Sequence, residues 1–227
     1  SPVTAQPESV RTVLTIHWST EEFPSTPVLD AAIRDSLRWL DTPVDYFAEY
    51  LESDRFPPEE ASESLRDYIQ RKYRDRHIDV VIAVADPALE FALRYRTVLF
   101  PDAPIVASVG AVPEAATRTA GRGVTGLVPN IGYDQTLALA LQLHPSTERV
   151  CVVARAPTIS YARLMESLQP VAQGVPLSLL DEESVERLLD DVRTIPERSL
   201  VLYIRHSRED RGKVLFPSDI AQLVSEA

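Results

Sequence analysis

The residues that could carry out chemistry in this chain are few and widely spaced. Its four histidines are His17, His77, His144 and His206, and its single cysteine, Cys151, lies within an apolar run. Zinc sites use paired cysteines or closely spaced histidines, so this pattern predicts no metal site. The sequence also contains no nucleophile elbow and no Walker-type phosphate loop. We therefore expect no catalytic residues, no metal and no cofactor.

The glycine-rich stretch at residues 121–126, GRGVTG, has the letters of a dinucleotide-binding loop. That motif binds a cofactor when it follows a strand and opens a helix. Here an Ala- and Thr-rich stretch precedes it, and residues 124–129 are typical of an extended segment. The sequence favours a flexible crossing loop over a cofactor site.

The composition restricts the classes of partner. The chain has 227 residues, a formal net charge of −11 and a pI of about 4.9. Nucleic-acid-binding surfaces are basic, so we expect no nucleic-acid partner. No apolar run reaches the roughly 18 residues needed to span a bilayer. There is no signal peptide and Ser1 is not an initiator Met, so we expect a piece of a longer protein that meets the membrane only through missing flanking segments.

A strand–turn–helix junction is predicted where the apolar run at residues 80–84 stops at Asp86-Pro87. The run lacks polar alternation, which is typical of a strand covered on both faces in a parallel sheet. Asp86 is a good N-cap residue, and Pro87 suits the first helical position. Ligands of open parallel sheets bind beside such junctions, at the carboxyl ends of the strands.

The same alternation of apolar and amphipathic runs continues along the chain. The predicted strands cover residues 13–16, 44–51, 80–84, 105–108, 124–128, 149–154, 176–180 and 199–204. Helices are predicted between them, for example with Leu29, Ile33, Leu37 and Leu40, or with Leu65, Ile69 and Tyr73, at helical spacing. The fold class is therefore α/β, with two doubly wound parallel-sheet lobes at residues 1–118 and 119–227. We expect the second lobe to be incomplete at its C-terminus.

The predicted strand ends carry many hydrogen-bonding and aromatic side chains, and we expect them to line a cleft between the lobes. In the first lobe the candidate ligand-binding residues are His17, Trp18, Ser19, Asp86 and Ser108. In the second lobe they are Arg155, Thr158, Tyr161, Arg205 and His206.

Several segments resemble the ABC-transporter substrate-binding-like family, which has the type I periplasmic-binding-protein fold. The resemblance is carried by residues 79–109, by TLALALQLHPSTERVCVVAR (136–155) and by residues 200–227, including Asp86-Pro87 and Leu143-His144-Pro145. The variant used as an extracytoplasmic sensor domain of bacterial histidine kinases is the most similar. The resemblance implies a small organic ligand, lobe closure as the signal, a periplasmic location and no enzyme activity in this domain. The oligomeric state, monomer or homodimer, is left open.

The charge at the second-lobe strand ends suggests the class of ligand. Arg155 and Arg205 have guanidinium groups that match carboxylates in two-point contacts. Trp18, Tyr161 and Tyr203 could provide flat apolar surface. We therefore hypothesise a small organic acid or an amino acid, although the second-lobe loop ARAPTISYA lacks the Asn-rich sequence of the amino-acid-binding relatives.

Three alternatives to a kinase sensor domain remain open at this stage. A solute-binding protein of an ABC importer shares the fold and the cleft. An α/β enzyme would need a phosphate loop or a nucleophile, and the effector domain of a transcription factor would need a fused DNA-binding segment. The full reading frame would distinguish them most directly.

Overall fold

A computed structural model describes residues 10–109, 123–129, 131–155, 161–182, 184–206, 208–210 and 213–227. The chain divides into two compact units, Ser1–Pro129 and Asn130–Ala227. The predicted boundary after residue 118 lies outside the described residues and stays a prediction. The strand at Val124–Leu127, which that prediction assigned to the second lobe, pairs with Ile105–Ser108 and so belongs to the sheet of the first unit.

The first unit contains a five-stranded parallel sheet. Its strands are β1 (Arg11–His17), β2 (Val44–Tyr50), β3 (Val80–Val84), β4 (Ile105–Ser108) and β5 (Val124–Leu127). Their order in the sheet is β2-β1-β3-β4-β5, so β2 is an edge strand. The helices are α1 (Thr26–Leu37), α2 (Pro58–Lys72), α3 (Asp86–Arg94) and the short α4 (Arg96–Leu99).

The main core of the first unit lies between the sheet and the helices α2 and α3. Leu14 and Ile16 of β1 are fully buried there and pack with Ile69 of α2 and Phe91 of α3. The predicted stripe of α2 is confirmed, since Leu65, Ile69 and Tyr73 are all buried.

Helix α1 packs differently from what its apolar stripe suggests. A stripe at helical spacing normally faces a core, but Leu29 is 41% exposed, Ile33 and Leu37 are only half-buried, and Leu40 lies beyond the end of the helix. Instead Asp30 and Arg34 of α1 contact Tyr46 of β2. The helix therefore meets the sheet partly through a polar cluster.

The second unit has a three-stranded parallel sheet between two layers of helices. The strands are β6 (Arg149–Arg155), β7 (Leu177–Leu180) and β8 (Ser199–His206), in the order β7-β6-β8. One core cluster joins the sheet to α5 (Tyr133–Leu143) and α6 (Tyr161–Leu168). Another joins the opposite face to α7 (Val185–Arg193) and α8 (Pro217–Glu226).

A short antiparallel hairpin, β9 (Arg208–Asp210) with β10 (Lys213–Leu215), follows β8 and is not predicted by the sequence pattern. Of the glycine-rich motif, residues 121–122 lie outside the described residues. A strand rather than a helix follows Gly123, so the requirement of a dinucleotide loop for a helix opening there is not met. None of the described helices is both long and apolar enough to cross a membrane.

Gly126 provides a test of the β4–β5 pairing. It lies opposite Ala107 of β4, and a Cβ at Gly126 would overlap the backbone carbonyl of Ala107. We expect Gly126→Ala to lower the free energy of unfolding by about 1–3 kcal/mol, the usual cost of overpacking. Urea denaturation would measure it, with Thr125→Ala, an exposed neighbour in the same strand, as the control. Equal stability of the two variants would contradict the pairing.

Candidate functional site

The parallel register aligns the predicted strand ends of the first unit in one row. His17 is level with Tyr50 of β2 and Val84 of β3, and Val84 is level with Ser108 of β4. The strand order reverses between β1 and β3, and ligands of open α/β sheets bind at such switch points. The first-unit candidates therefore lie at or next to the carboxyl ends of neighbouring strands.

The loop after β1 is fixed to the loop after β2. The backbone N–H and the hydroxyl of Ser53 both donate to the Trp18 carbonyl, at 2.9 and 2.8 Å. The hydroxyl of Ser19 is fully buried and donates to Asp54 at 2.6 Å. The half-buried Trp18 ring packs edge-on against Phe23, with 5.1 Å between centroids. These contacts hold Trp18 in place. The hydroxyl of Ser19, in contrast, is used in a hydrogen bond to Asp54 within the protein.

His17 lies in a buried polar cluster rather than at an open surface. Its side chain is 1% exposed and stacks on Tyr50, with 5.5 Å between the ring centroids. Its Nε2 is 3.9 Å from Oδ1 of Asp30, too far for a hydrogen bond. Asp30 instead accepts hydrogen bonds from Arg34 at 2.7 Å and Tyr46 at 2.6 Å.

The two titrating groups of this cluster have shifted pKa values. Burial lowers the pKa of His17, and the negative charge of Asp30 opposes this effect without reversing it. Burial acts to raise the pKa of Asp30, but the hydrogen bonds from Arg34 and Tyr46 lower it overall. His17 is therefore neutral, and Asp30 ionised, in the folded chain near neutral pH. A ligand-binding role for His17 stays a prediction.

The lowered pKa of His17 predicts a pH dependence of stability. Below the ordinary histidine pKa of 6.5, the unfolded chain binds more protons than the folded one. The stability that neutral His17 provides is thus fully present above that value and is lost as the pH falls towards the lowered folded pKa. We expect the free energy of unfolding to fall between pH 7.5 and 5.5, by up to about 1.4 kcal/mol per unit of pKa shift.

The comparison that isolates His17 uses His17→Phe, which retains an aromatic ring beside Tyr50, and His144→Phe at an exposed position. Urea denaturation should show a smaller pH dependence in His17→Phe than in the wild type, and no such change in His144→Phe. Identical pH slopes for wild type and His17→Phe would contradict the assignment.

The junction between β3 and α3 differs in detail from the sequence prediction. Asp86 is the first helical residue rather than the N-cap. Ala85 is the N-cap, with φ 71° and ψ 166°, a region that residues other than glycine rarely adopt. Its N–H donates to the Ser108 carbonyl at 2.7 Å, which ties the turn to the end of β4. The ligand-binding roles of Asp86 and Ser108 stay predictions.

The strained turn predicts an unusual effect of a glycine substitution. Strain in this region costs about 1–3 kcal/mol, whereas glycine loses about 0.5–1 kcal/mol more backbone entropy than alanine. We expect Ala85→Gly to raise the free energy of unfolding by about 1 kcal/mol. Ala83→Gly, in strand β3 just before the turn, should lower the free energy of unfolding. Thermal denaturation would measure the stability of both variants. Destabilisation by both substitutions to the same extent would argue against strain at Ala85.

The carboxyl edge of the second sheet brings Arg155 and His206 side by side. The two residues are paired across β6 and β8, where the strand order reverses. Arg155 Nη1 donates to the Asp181 carbonyl at 2.8 Å, and Nε2 of the fully buried His206 lies 2.9 Å from the Glu182 carbonyl. This geometry favours a structural role for His206, and its ligand-binding role stays a prediction.

The sequence reasoning missed a tyrosine on which the charge of Arg205 acts. Tyr133 is the first residue of α5. Burial raises the pKa of Tyr133, and the positive charge of Arg205 acts in the opposite direction. Tyr161, the first residue of α6, is half-buried against the same core cluster. Thr158 lies outside the described residues. The signal that could have identified Tyr133 is the helix start at Gly132-Tyr133. The candidate Asp86 likewise lies at the start of a helix that follows a strand.

Three cavities lie in the first unit, and two of them border residues at or just after the carboxyl ends of β2 and β3. One of about 330 Å³ lies near the amino ends of β3 and β4, lined by residues including Tyr73, Ile78 and Phe100. Two others, of about 410 and 350 Å³, flank the N-terminal half of α2. None of these three is lined by a sequence-predicted site residue. Among the described residues no group of three His, Cys, Asp or Glu side chains could hold a metal ion.

Comparison with solved structures identifies chains of the same fold. A conserved domain protein from Vibrio cholerae has a TM-score of 0.59 at 17% identity, covering 82% of this chain and 62% of its own. The ABC domain from Streptococcus pneumoniae, solved in complex with L-Trp, has a TM-score of 0.57 at 15% identity, covering 79% and 60%. A ligand-free, open substrate-binding protein with adhesive properties from Clostridium difficile has a TM-score of 0.54 at 14% identity, covering 85% and 65%.

This chain thus spans about three-fifths of the length of these solved structures. No protein-family profile matches it, and comparison with curated proteins gives no match. The structural likeness establishes the fold. The chain has the α/β fold of type I periplasmic-binding-protein-like proteins, with parallel sheets of five and three strands.

Proposed function

We propose that this chain binds a small organic ligand through side chains at the carboxyl ends of its parallel strands. The observation that carries the proposal is the coincidence of the candidate residues with the topological switch point of each sheet. Trp18 and Asp86 follow the ends of β1 and β3, and Arg155 and Arg205 lie at the ends of β6 and β8. Ligands of open α/β sheets bind at these positions.

The proposed ligand is a carboxylate or an amino acid with an apolar part. Guanidinium groups bind carboxylates through two parallel hydrogen bonds, and an aromatic ring such as that of Trp18 offers flat apolar surface. One protein of the same fold was solved with L-Trp, and another is described as a substrate-binding protein. These similarities support a binding role rather than catalysis.

The proposed setting is the extracytoplasmic sensor domain of a membrane-bound histidine kinase, in which ligand binding produces the signal. It rests on the sequence resemblance. A ligand shifts a conformational equilibrium only by its difference in affinity for the two states, so a signalling ligand must prefer one of them. The alternative is a solute-binding protein of an ABC importer. A kinase domain in the same reading frame would support the first role, and an adjacent permease gene would support the second.

Isothermal titration calorimetry tests the binding proposal. The panel contains L-tryptophan, L-leucine, phenylacetate, phenylacetamide and tryptamine. We expect the wild type to bind an acid of this panel, and Arg205→Ala to weaken that binding by on the order of thirtyfold, because removing one partner of a buried charge pair costs about 2–5 kcal/mol. Trp18→Ala should weaken the same ligand about tenfold or more.

The matched controls are Arg38→Ala and Trp39→Ala, since Arg38 is 77% exposed and Trp39 is 88% exposed. Both should bind like the wild type. A preference for tryptamine over the acids, or equal affinity of Arg205→Ala and wild type, would contradict the proposed ligand class. A ligand that responds to neither Trp18→Ala nor Arg205→Ala would place binding away from the strand ends.

A further inference from the structure

A cavity of about 410 Å³ lies in the first unit between the end of the edge strand β2 and helix α2. Its lining includes three aromatic rings, those of Tyr50, Phe56 and Tyr68, and two carboxylates, those of Glu52 and Glu60. Small-molecule sites have volumes of about 300–1,000 Å³, so the cavity is large enough for a ligand. None of the candidate residues at the strand ends lines it, so it is a separate location.

The aromatic lining of this cavity is exposed, whereas its aliphatic lining belongs to the core. Phe56 and Tyr68 are 54% and 42% exposed. Leu51, Ala61 and Leu65, which line the same cavity, are buried. Contiguous apolar surface that is edged by polar groups is typical of a binding site. The cavity therefore joins a rigid base to accessible rings.

The turn after β2 fixes the backbone at Phe56. Glu52 has φ 51°, in the left-handed region that residues other than glycine seldom adopt. Its carbonyl accepts hydrogen bonds from the N–H groups of Arg55 and Phe56, at 2.9 and 3.1 Å. The preceding residue, Leu51, donates its N–H to the His17 carbonyl at 2.8 Å. Backbone in such a conformation is common at functional sites, where it holds contact residues in place before the ligand binds.

Helix α2 provides the other side of the cavity through residues that are four apart. Glu60, Ser64 and Tyr68 all line the cavity, and this spacing places them on one face of the helix. A carboxylate, a hydroxyl and an aromatic ring thus follow one another along the same side of α2.

The charges around the cavity favour a cation. Its described lining residues include two glutamates and no lysine or arginine. Arg55 adjoins the cavity, but its Nη1 lies 3.8 Å from Glu52, beyond hydrogen-bonding distance. Among the residues that the structure describes, Glu60 takes part in no ion pair. The formal net charge of −11 also attracts cations to the chain.

The aromatic rings favour a particular kind of cation. Ring faces attract positive charge, and Lys72 Nζ already lies 5.1 Å from the centroid of the Tyr68 ring. Lys72 also donates to Glu49 at 2.7 Å, which supplies the acceptor that an ammonium N–H group needs. A methylated ammonium ion has no N–H groups to satisfy, and its methyl groups match apolar ring surface. Recognition by several aromatic rings is typical of such ions.

We propose that this cavity binds a small methylated ammonium ion of the choline type. The rings of Tyr50, Phe56 and Tyr68 contact its methyl groups, and the carboxylates of Glu52 and Glu60 balance its charge. The site goes beyond the proposed function and does not depend on it.

An NMR titration at constant ionic strength tests the proposal with three probes: choline, its neutral isostere 3,3-dimethylbutan-1-ol, and ethanolamine. We expect saturable shifts of the backbone amides of residues 50–68 with choline. The neutral alcohol has the same shape without the charge, so it should bind about tenfold more weakly. Ethanolamine, which keeps its N–H groups, should also bind more weakly than choline.

Two substitutions at exposed positions separate the ring from the charge. Phe56→Leu keeps an apolar side chain but removes the ring, and Glu60→Gln keeps the size but removes the charge. Each should weaken choline binding about fivefold. The matched controls are Trp39→Leu, at an aromatic residue that is exposed elsewhere, and Glu63→Gln, at an exposed residue of α2 outside the cavity lining. Both controls should bind choline like the wild type.

Equal affinities for choline and the neutral alcohol, or no saturable choline binding, would overturn the proposal. Choline binding that responds to neither Phe56→Leu nor Glu60→Gln would place the cation elsewhere and overturn it too. Ethanolamine that binds as tightly as choline would contradict the methylated class. Arg205→Ala should leave choline binding unchanged, which distinguishes this cavity from the strand-end site of the proposed function.

Discussion

The parallel pairing of β1 with β3, and of β6 with β8, is the constraint on which the rest of the structure depends. Parallel strands are joined by crossovers, so every strand of a sheet ends at the same edge. The register aligns His17 with Val84, and Arg155 with His206. Residues that are far apart in sequence are thereby collected at two edges, and the helices that follow begin there as well.

The polar side chains at these edges fall into two groups that residue type alone does not distinguish. Ser19 and His206 are fully buried and bonded to Asp54 and to the backbone at Glu182. A buried polar group needs such a partner, since leaving it without one costs about 1–3 kcal/mol. Trp18 and Tyr133 are only half-buried, so part of each side chain is accessible. The second group is the better source of ligand contacts.

Much of the fold follows from the sequence because each element has a strong local signal. The apolar run of β3 and the stripe of α2 are sufficient to place those elements, and a proline in the first turn fixes the beginning of α1, α2, α3 and α8. The orientation of α1 does not follow, because its apolar stripe predicts burial, whereas Asp30 accepts a hydrogen bond from Tyr46 and Arg34 stacks on the Tyr46 ring. The capping role of Asp86 was also wrong, since the tie between Ala85 and Ser108 shifts the helix start.

The candidate site follows from the sequence only in part. Strand ends can be located from hydrophobic runs, so Trp18 and Arg205 could be named in advance. The register shift that places Arg205 opposite Ala154 rather than Arg155 could not, because it depends on the pairing of β8 with β6 and has no local signature. The hairpin of β9 and β10 was missed for the same reason, since its sequence is charged and has no apolar alternation.

Hydrogen–deuterium exchange with and without bound L-tryptophan or phenylacetate, whichever binds more tightly, tests most directly where the ligand binds. The account predicts slower exchange in peptides that cover residues 17–20, 85–89, 131–135 and 203–206, at the carboxyl edges of the two sheets. Protection confined to the cavity lined by Tyr73, Ile78 and Phe100, near the amino ends of β3 and β4, would contradict it.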